Sequence, residues 1–220
     1  MRTKFICRLA VLLFAVNVLT SASLWAQAKT FIVRKEDSHI GFAIYKWAVF
    51  KEEGRFKDFA GTIVYDPQNP SASQVEFTVQ AKSIDSRNDG RDGALRSKEF
   101  FHVEKHPTLS FKSTHVTAKG ADTLLVTGDL TMRGVVKRVT IPVKVLGINH
   151  VRNQGELAGF ESTFFVNRED FGIARGWDII SKEATIHLMI GAASNLRSAR
   201  LLKICHRSSS CCKRFVITRS

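Results

Sequence analysis

The sequence predicts an all-β domain, a sandwich or a closed barrel of antiparallel strands with one short helical insertion. Between Phe31 and Ile190, apolar residues recur at every second position in segment after segment, which is the period of a strand with one buried face. Turn-forming residues separate these segments, and no long helical pattern lies between them, so parallel βαβ units are excluded. Only 89–101 breaks the alternation, with Leu95 and Phe100 spaced as on a short helix or an ordered loop.

The alternating segments number eight or nine. The run from Val75 to Ala81 is typical, because apolar residues at its odd positions alternate with Glu, Thr and Gln. Chain reversals at 66–70, 119–122 and 153–156 combine Pro, Gly, Asn and Asp, the residues that tight turns favour. In chain order the predicted strands lie near 31–35, 40–44, 61–66, 75–81, 109–116, 124–131, 139–145, 158–166 and 184–190.

Residues 1–28 have the layout of a secretory signal peptide. Basic residues precede an apolar run over 9–19, and the segment ends in Ala26-Gln27-Ala28, the small residues that cleavage requires. The apolar run is about eleven residues, well short of the roughly twenty that span a bilayer. We therefore expect cleavage after Ala28 and a periplasmic or secreted chain without an integral membrane span.

The formal net charge of +13 lies mostly outside the predicted domain. Residues 29–194 contain 23 Lys and Arg against 20 Asp and Glu, whereas 195–220 contains seven basic residues and no acidic one. A domain that binds nucleic acid carries its excess positive charge on its own surface, so we expect no nucleic-acid partner. The basic tail, 195–220, is predicted to be disordered, with attraction to anionic lipid head groups as the alternative.

Residues 29–194 are predicted to form a single domain without disulfides. All four cysteines of the chain lie outside this range. A chain of about 150 residues buries roughly 70% of the surface that it exposes when unfolded. One core of this size therefore holds without covalent links.

Several motifs follow one another along this domain. In the first block they are Ser83-Ile84-Asp85-Ser86, Arg91-Asp92, Leu95-Arg96-Ser97, Phe100-Phe101, His106-Pro107 and Phe111-Lys112-Ser113-Thr114. A second block occupies 127–135, and a third comprises Gly159-Phe160 and 168–173. In these motifs the chain, from about 30 to about 193, resembles the YceI-like, lipocalin-like polyisoprenoid-binding proteins.

This resemblance implies an eight-stranded antiparallel lipocalin-like β-barrel. It also implies that a tunnel in the barrel holds a long isoprenoid or a similar amphiphilic chain, as carrier or reservoir. The implied location is an exported one, which the signal peptide supports independently.

The interior of such a barrel is the candidate binding site. Residues 29–194 hold thirteen phenylalanines but only two tyrosines, so most of the aromatic surface lacks a polar group. A barrel of eight strands is either just filled by its side chains or just wide enough for one small ligand. Composition leaves both alternatives open. The candidate lining residues, chosen by alternation, are Phe42, Ile44, Phe77, Val79, Phe111, Leu130, Phe164 and Ile186.

Arg91, Asp92 and Arg96 are the candidates for the site that holds the polar head of the ligand. Two guanidinium groups can bind phosphate oxygens in bidentate fashion. The alternative is an ion-pair network, with Asp89 or Glu99 as further partners, that fixes the loop which caps the barrel.

No catalytic or metal-binding motif has the spacing that its chemistry requires. His102 and His106 have the spacing of a helical zinc pair, but Glu does not directly follow the first His, and Pro107 disfavours a helical His106. We expect a binding protein with no catalytic residue, metal or cofactor, its ligand being an isoprenoid, quinone-like or fatty amphiphile. The alternatives are an enzyme acting on a lipid or small molecule through Asp92 and His102, and a structural or stress-protective protein with a filled core.

Overall fold

Eleven β-strands and one α-helix make up the regular structure of the computed structural model, which describes residues 28–152, 155–174 and 179–194. Helix α1 (Asp89–Arg96) lies between the sixth and seventh strands of the chain. Within these ranges no helix has the length and apolar character that crossing a bilayer requires. Residues 1–27 of the predicted signal peptide and the basic tail lie outside the described residues. The strands are β1 (Lys29–Val33), β2 (His39–Lys46), β3 (Phe50–Phe56), β4 (Phe59–Tyr65), β5 (Gln74–Gln80), β6 (Ile84–Asp85), β7 (Thr108–Ala118), β8 (Thr123–Met132), β9 (Val135–Val151), β10 (Gly155–Asn167) and β11 (Glu183–Ser194).

Eight of these strands close into a barrel because β1 pairs with both β4 and β11. Around the barrel the order is β1-β4-β5-β7-β8-β9-β10-β11, and every neighbouring pair is antiparallel. At one end β11 also pairs with β2, which pairs with β3, and β3 pairs with the short β6. The prediction of an eight-stranded antiparallel barrel with a short helical insertion is confirmed.

The period of two in the sequence determines which face of each strand points inward. On β8, Leu124, Val126 and Met132 are buried, while their neighbours along the strand are partly exposed. On β1 and β7, Phe31 and Val116 are almost completely buried. Successive side chains of a strand point to opposite faces, so each strand offers one row to the interior and one to solvent.

Strand β3 is not among the strands predicted from the sequence. Its residues include Glu52 and Gly54 between the terminal Phe50 and Phe56, so the strand shows no apolar alternation. The strand forms because β2 lies beside it, and each residue of Ile40–Lys46 pairs with one residue of β3. Pairing with a neighbouring strand therefore overrides a weak local pattern here.

The two ends of the barrel differ in what covers them. At one end, the cap end, lie α1, the segments that join β2 to β3 and β8 to β9, and residues 168–174 and 179–182 between β10 and β11. These segments contact one another, since the Trp47 N–H donates to the Ile179 carbonyl and the Arg133 guanidinium donates to the carbonyls of Lys98 and Gly172. The opposite end carries the start of β1 and the turns that follow β4 and β7.

Candidate functional site

The interior of the barrel contains an apolar cavity of about 230 Å³. Side chains of β2, β3, β4, β5, β7, β8, β9, β10 and β11 all contribute to its wall. The atoms on its surface are apolar, which makes the cavity suited to a hydrocarbon and unsuited to ordered water.

All eight lining residues chosen from the sequence lie on the wall of this cavity. They occupy inward positions on β2, β5, β7, β8, β10 and β11. In several cases they are also neighbours across the sheet, as Phe77 and Phe111 pair directly, and Phe111 pairs with Leu130. Their role in holding a ligand stays a prediction. The residues concerned are Phe42, Ile44, Phe77, Val79, Phe111, Leu130, Phe164 and Ile186.

Three of these phenylalanine rings lie over glycines of a neighbouring strand. A Cβ atom at Gly61 would lie 2.8 Å from the Phe77 ring, and one at Gly128 would lie 2.6 Å from the Phe111 ring. The Phe42 ring covers Gly54 of β3 in the same way. Because each ring occupies the space of a missing side chain, it leaves the centre of the barrel open.

The residues that close the cap end of the cavity are not among the lining candidates chosen from the sequence. Phe101 packs edge to face on Phe56, with 5.8 Å between ring centroids. Leu95 of α1 lines the cavity together with these two rings, and so does Phe100. The spacing of Leu95 and Phe100 in the sequence indicated a short helix or an ordered loop. That spacing does not show which end of a barrel such a segment covers.

Local sequence explains why α1 begins where it does. The Asn88 side chain accepts a hydrogen bond from the Arg91 N–H at 2.9 Å, which caps the first turn. Asp89 lies in that first turn, where a carboxylate is favoured by the helix dipole. The helix thereby holds Leu95 over the end of the cavity.

Asp92 is the buried residue of α1, and its side chain anchors the loop before the helix. Its Oδ1 accepts hydrogen bonds from the backbone N–H and the hydroxyl of Ser86, at 2.8 and 2.6 Å. The Arg96 guanidinium lies 3.8 Å from the other carboxylate oxygen and donates to the carbonyls of Lys82 and Ile84. These contacts join α1 to the segment on its N-terminal side.

Arg91 pairs with a carboxylate of the barrel wall. Its guanidinium lies 2.6 Å from Glu52 of β3. Neither Arg91 nor Asp92 nor Arg96 belongs to the described lining of the cavity. The contacts match the alternative of a network that fixes the cap, because Arg96 lies next to Asp92 as that alternative expects, and Ser86 and Glu52 are further partners. A head-group role for the three residues stays a prediction, which these contacts do not support.

A second ion-pair cluster joins β3 to β6 at the base of the cap. Asp85 lies 2.8 Å from the Lys57 ammonium and 3.2 Å from the Arg55 guanidinium. The hydrogen bond from Lys57 is the main reason that the pKa of Asp85 falls to about 2. The carboxylate is therefore ionised throughout the physiological range of pH.

Arg168 is a buried cation in the wall of the cap end. Its guanidinium donates to the carbonyls of Ile173, Ile180 and Ser181 at 2.6 to 3.0 Å. Burial lowers the pKa of Arg168, but an arginine stays charged in proteins. Through these bonds Arg168 holds Ile173 and Ile180 against the cavity, which both of them line.

Tyr65 and Phe160 cover the opposite end of the cavity. Their rings pack edge to face with centroids 5.9 Å apart, and both line the cavity. Burial is the first cause that raises the pKa of Tyr65, and the adjacent Asp66 is the second. The phenol is therefore neutral at physiological pH.

The two histidines considered as a zinc pair lie beside each other in the cap. The ring centroids of His102 and His106 are 5.8 Å apart, and burial lowers the pKa of His106. His102 has a φ of 50°, so the pair does not lie on one regular helix. In the described ranges, no group of three or more His, Cys, Asp or Glu side chains is placed to hold a metal ion.

Known proteins share this sequence pattern and fold. The family model for the YceI-like domain matches residues 31–192. The UPF0312 protein of Pseudomonas paraeruginosa is 39% identical over 171 residues, which cover 75% of this chain and 87% of that protein.

Among solved structures, BcnA of Burkholderia cenocepacia superimposes with a TM-score of 0.67 at 23% identity, over 72% of this chain and 98% of that one. A polyisoprenoid binding domain from Saccharophagus degradans, implicated in plant cell wall breakdown, superimposes with a TM-score of 0.59 at 14% identity, over 77% of this chain and 100% of that one. At these identities the two structures show a shared fold. Because the family match covers residues 31–192 and extends to a relative at 39% identity, the chain belongs to the YceI-like domain family.

Proposed function

We propose that this protein binds a long apolar chain, an isoprenoid or a similar amphiphile, inside its barrel and acts as an exported carrier or reservoir. The observation that supports this proposal most directly is the apolar cavity of about 230 Å³. A protein with a filled core has no such space, because protein interiors pack with few voids larger than a water molecule.

The volume of the cavity limits the length of the hydrocarbon chain that can bind without a rearrangement of the barrel. An apolar cavity of about 150 Å³ holds benzene, so about 230 Å³ has room for roughly nine carbon atoms. Burial of nine methylene-sized groups contributes roughly 7 kcal/mol before the entropy cost of association. A longer chain binds more tightly only if it reaches the cap end or displaces the cap.

A relative of similar fold supports the choice of ligand class. The Saccharophagus degradans domain bears the description of a polyisoprenoid binding domain. An isoprenoid chain is branched and apolar, which suits a wall of phenylalanine and aliphatic side chains such as Phe77 and Ile186.

Export is the part of the proposal that rests on the sequence alone. Residues 1–28 have the layout of a signal peptide, with Ala26-Gln27-Ala28 at its end. A carrier of this kind then acts outside the cytoplasm, where it exchanges apolar molecules with a membrane.

The apolar surface of the cavity favours ligand binding over catalysis. The surface of the cavity is apolar, whereas acid–base chemistry needs a titratable group within hydrogen-bonding distance of the reacting atom. Asp92, the acid of the enzyme alternative, has its Oδ1 occupied by Ser86.

Native mass spectrometry of protein purified from a bacterial host tests the proposal. We expect an apolar molecule to co-purify, because a dry cavity of this size is costly to leave empty. Val79→Trp on the cavity wall should abolish uptake, while Thr78→Trp, on the exposed face of the same strand, should leave it unchanged.

Two results would contradict the proposal. If the protein is always empty, and quinones, polyprenyl compounds and fatty acids do not bind at micromolar concentration, the structural or stress-protective alternative replaces this proposal. If Thr78→Trp abolishes uptake as Val79→Trp does, the ligand does not lie in the cavity.

A further inference from the structure

The turn between β2 and β3 presents a cluster of exposed apolar side chains at the cap end. We name residues 45–50 the tip. Trp47, Val49 and Phe50 are 56%, 73% and 60% exposed, and Tyr45 at the base of the tip is also exposed. The Trp47 and Phe50 rings contact each other edge to face at 6.2 Å. Scattered exposed apolar residues are ordinary, but a contiguous cluster on a protruding turn marks a contact surface.

The backbone of the tip adopts a conformation that its residue types disfavour. Trp47 and Ala48 have φ angles of 50° and 58°, in the left-handed region. Hairpin turns of this kind normally use Asn and Gly, which adopt positive φ at little cost. A bulky side chain held there at a cost in stability points to a use for that side chain.

The flank of the tip carries an excess of positive charge in the described part of the chain. The Lys46 ammonium lies 4.2 Å from the centroid of the Trp47 ring. No ion pair joins Lys46 to a described carboxylate. The other basic side chains at this flank are Lys51, Arg87 and Arg91, and the acidic side chains that pair with them are Glu52 and Glu53. Lys46, together with the pairing of both Lys51 and Arg87 with the single carboxylate of Glu53, makes this flank complementary to an anionic surface.

The tip is continuous with the cavity. Lys46 forms an isolated β-bridge with Ile180, which lines the cavity. Ile44, two residues before it on the same face of β2, also lines the cavity. The apolar side chains of the tip and the apolar wall of the cavity therefore lie at the same end of the barrel.

We propose that the tip docks on the surface of a bilayer that contains anionic phospholipid. Trp47, Val49 and Phe50 insert at the level of the head groups, and Lys46 contacts phosphate oxygens. Aromatic residues favour this interface because each ring has an apolar body, and for Trp a polar N–H. The inference rests on the proposed function, since docking brings the cap end of the cavity to the membrane from which an apolar chain comes.

Sedimentation with vesicles of phosphatidylethanolamine and phosphatidylglycerol at a ratio of about 3:1 tests the proposal on the whole exported chain. Val49→Asp and Phe50→Ser should each weaken binding by about tenfold, because each removes apolar contact with the interface. The matched control is Leu146→Ser, an exposed apolar residue of β9 that lies toward the opposite end of the barrel. This control should bind as the unaltered protein does.

A second pair of variants tests the contribution of charge. Lys46→Gln should weaken binding by a few fold, whereas Lys119→Gln, in the turn at the opposite end, removes the same charge and should have no effect. The basic tail is common to all variants, so a difference between them reports on the tip. Unfolding temperatures equal to that of the unaltered protein show that each variant is folded.

The outcomes separate docking from ligand binding. Loading of the same variants from detergent micelles measures the cavity alone, and we expect the tip variants to load normally. If Val49→Asp and Phe50→Ser sediment with vesicles as the unaltered protein does, docking through the tip is wrong, whether or not a ligand is bound. If the tip variants lose vesicle binding while no variant takes up a ligand, docking stands and the proposed function fails.

Discussion

Removal of one aromatic ring from the cavity wall tests both the packing and the binding proposal. Phe111 on β7 is buried, pairs with Phe77 and Leu130 across the sheet and covers Gly128. Phe111→Ala deletes the ring and extends the existing cavity toward β8. Neighbouring strands hold the backbone on both sides, so the wall has little freedom to collapse into the space.

The expected loss of stability follows from that geometry. Truncation of a buried phenylalanine to alanine costs about 3–5 kcal/mol, and sites that cannot collapse lie in the upper part of the range. We therefore expect Phe111→Ala to lower the free energy of unfolding of the unliganded protein by about 4 kcal/mol. A domain of this size loses about 2–4 °C of unfolding temperature per kcal/mol, so the decrease should be roughly 8–16 °C.

The enlarged cavity should also change the ligand. The deleted ring has six carbons, so the variant should take a chain longer by about six carbons, close to one isoprene unit. Excess ligand should restore part of the lost stability, because a ligand that binds only the folded state raises its free energy of unfolding.

Thermal unfolding with and without ligand, together with native mass spectrometry, measures these effects. The control is Phe165→Ala on the outer face of β10, where the ring is exposed and the change should stay below about 0.5 kcal/mol. Equal unfolding temperatures and equal ligand masses for Phe111→Ala and the unaltered protein would refute the reasoning.

Three further predictions concern the cap, the glycines and pH. Asp92→Ala should lower the free energy of unfolding by about 3 kcal/mol in urea titrations, because it leaves the buried donors of the preceding loop without an acceptor. Asp92→Asn keeps an acceptor and should lose less stability. Equal losses for the two variants would contradict the role of Asp92 as acceptor for that loop. Gly61→Ala should push the Phe77 ring into the cavity and speed ligand release at a stability cost of about 1–2 kcal/mol, and unchanged release rates would contradict it. The pKa of Asp85 is lowered from 3.8 to about 2, so its contribution to stability is complete above the unfolded pKa and disappears as the pH falls through the folded pKa. Lys57→Met should flatten this acid-induced loss of stability. An identical dependence of stability on pH in the variant would contradict the role of the Lys57–Asp85 pair.

Alternation was enough to choose residues of the cavity wall. On β5, Phe77 and Val79 lie two positions apart on one face, and both line the cavity. The same holds for Phe42 and Ile44 on β2. A strand with one wet face and one dry face must place its apolar residues at alternate positions, so the pattern in the sequence carries the face that each strand buries.

The contacts of the cap could not be predicted from the sequence pattern. Sequence proximity suggested that Arg91, Asp92 and Arg96 form one polar group, but their main partners lie in other elements. Arg91 pairs with Glu52 of β3, and Asp92 accepts bonds from Ser86. Arg91 and Glu52 are distant in the sequence and meet only when α1 folds against β3, so no local period links them.

Sequence by itself determined the class of fold, the eight inward-facing candidates and the family, because these depend on a period of two and on motifs that are written along the chain. Tertiary structure decided that β3 is a strand, that the cap closes one end of the cavity and that the centre of the barrel is open. The open centre depends on rings such as Phe77 lying over glycines such as Gly61 on a neighbouring strand. The volume left inside a barrel is the difference between enclosed space and side-chain volume, and only the positions of strands relative to one another determine that difference.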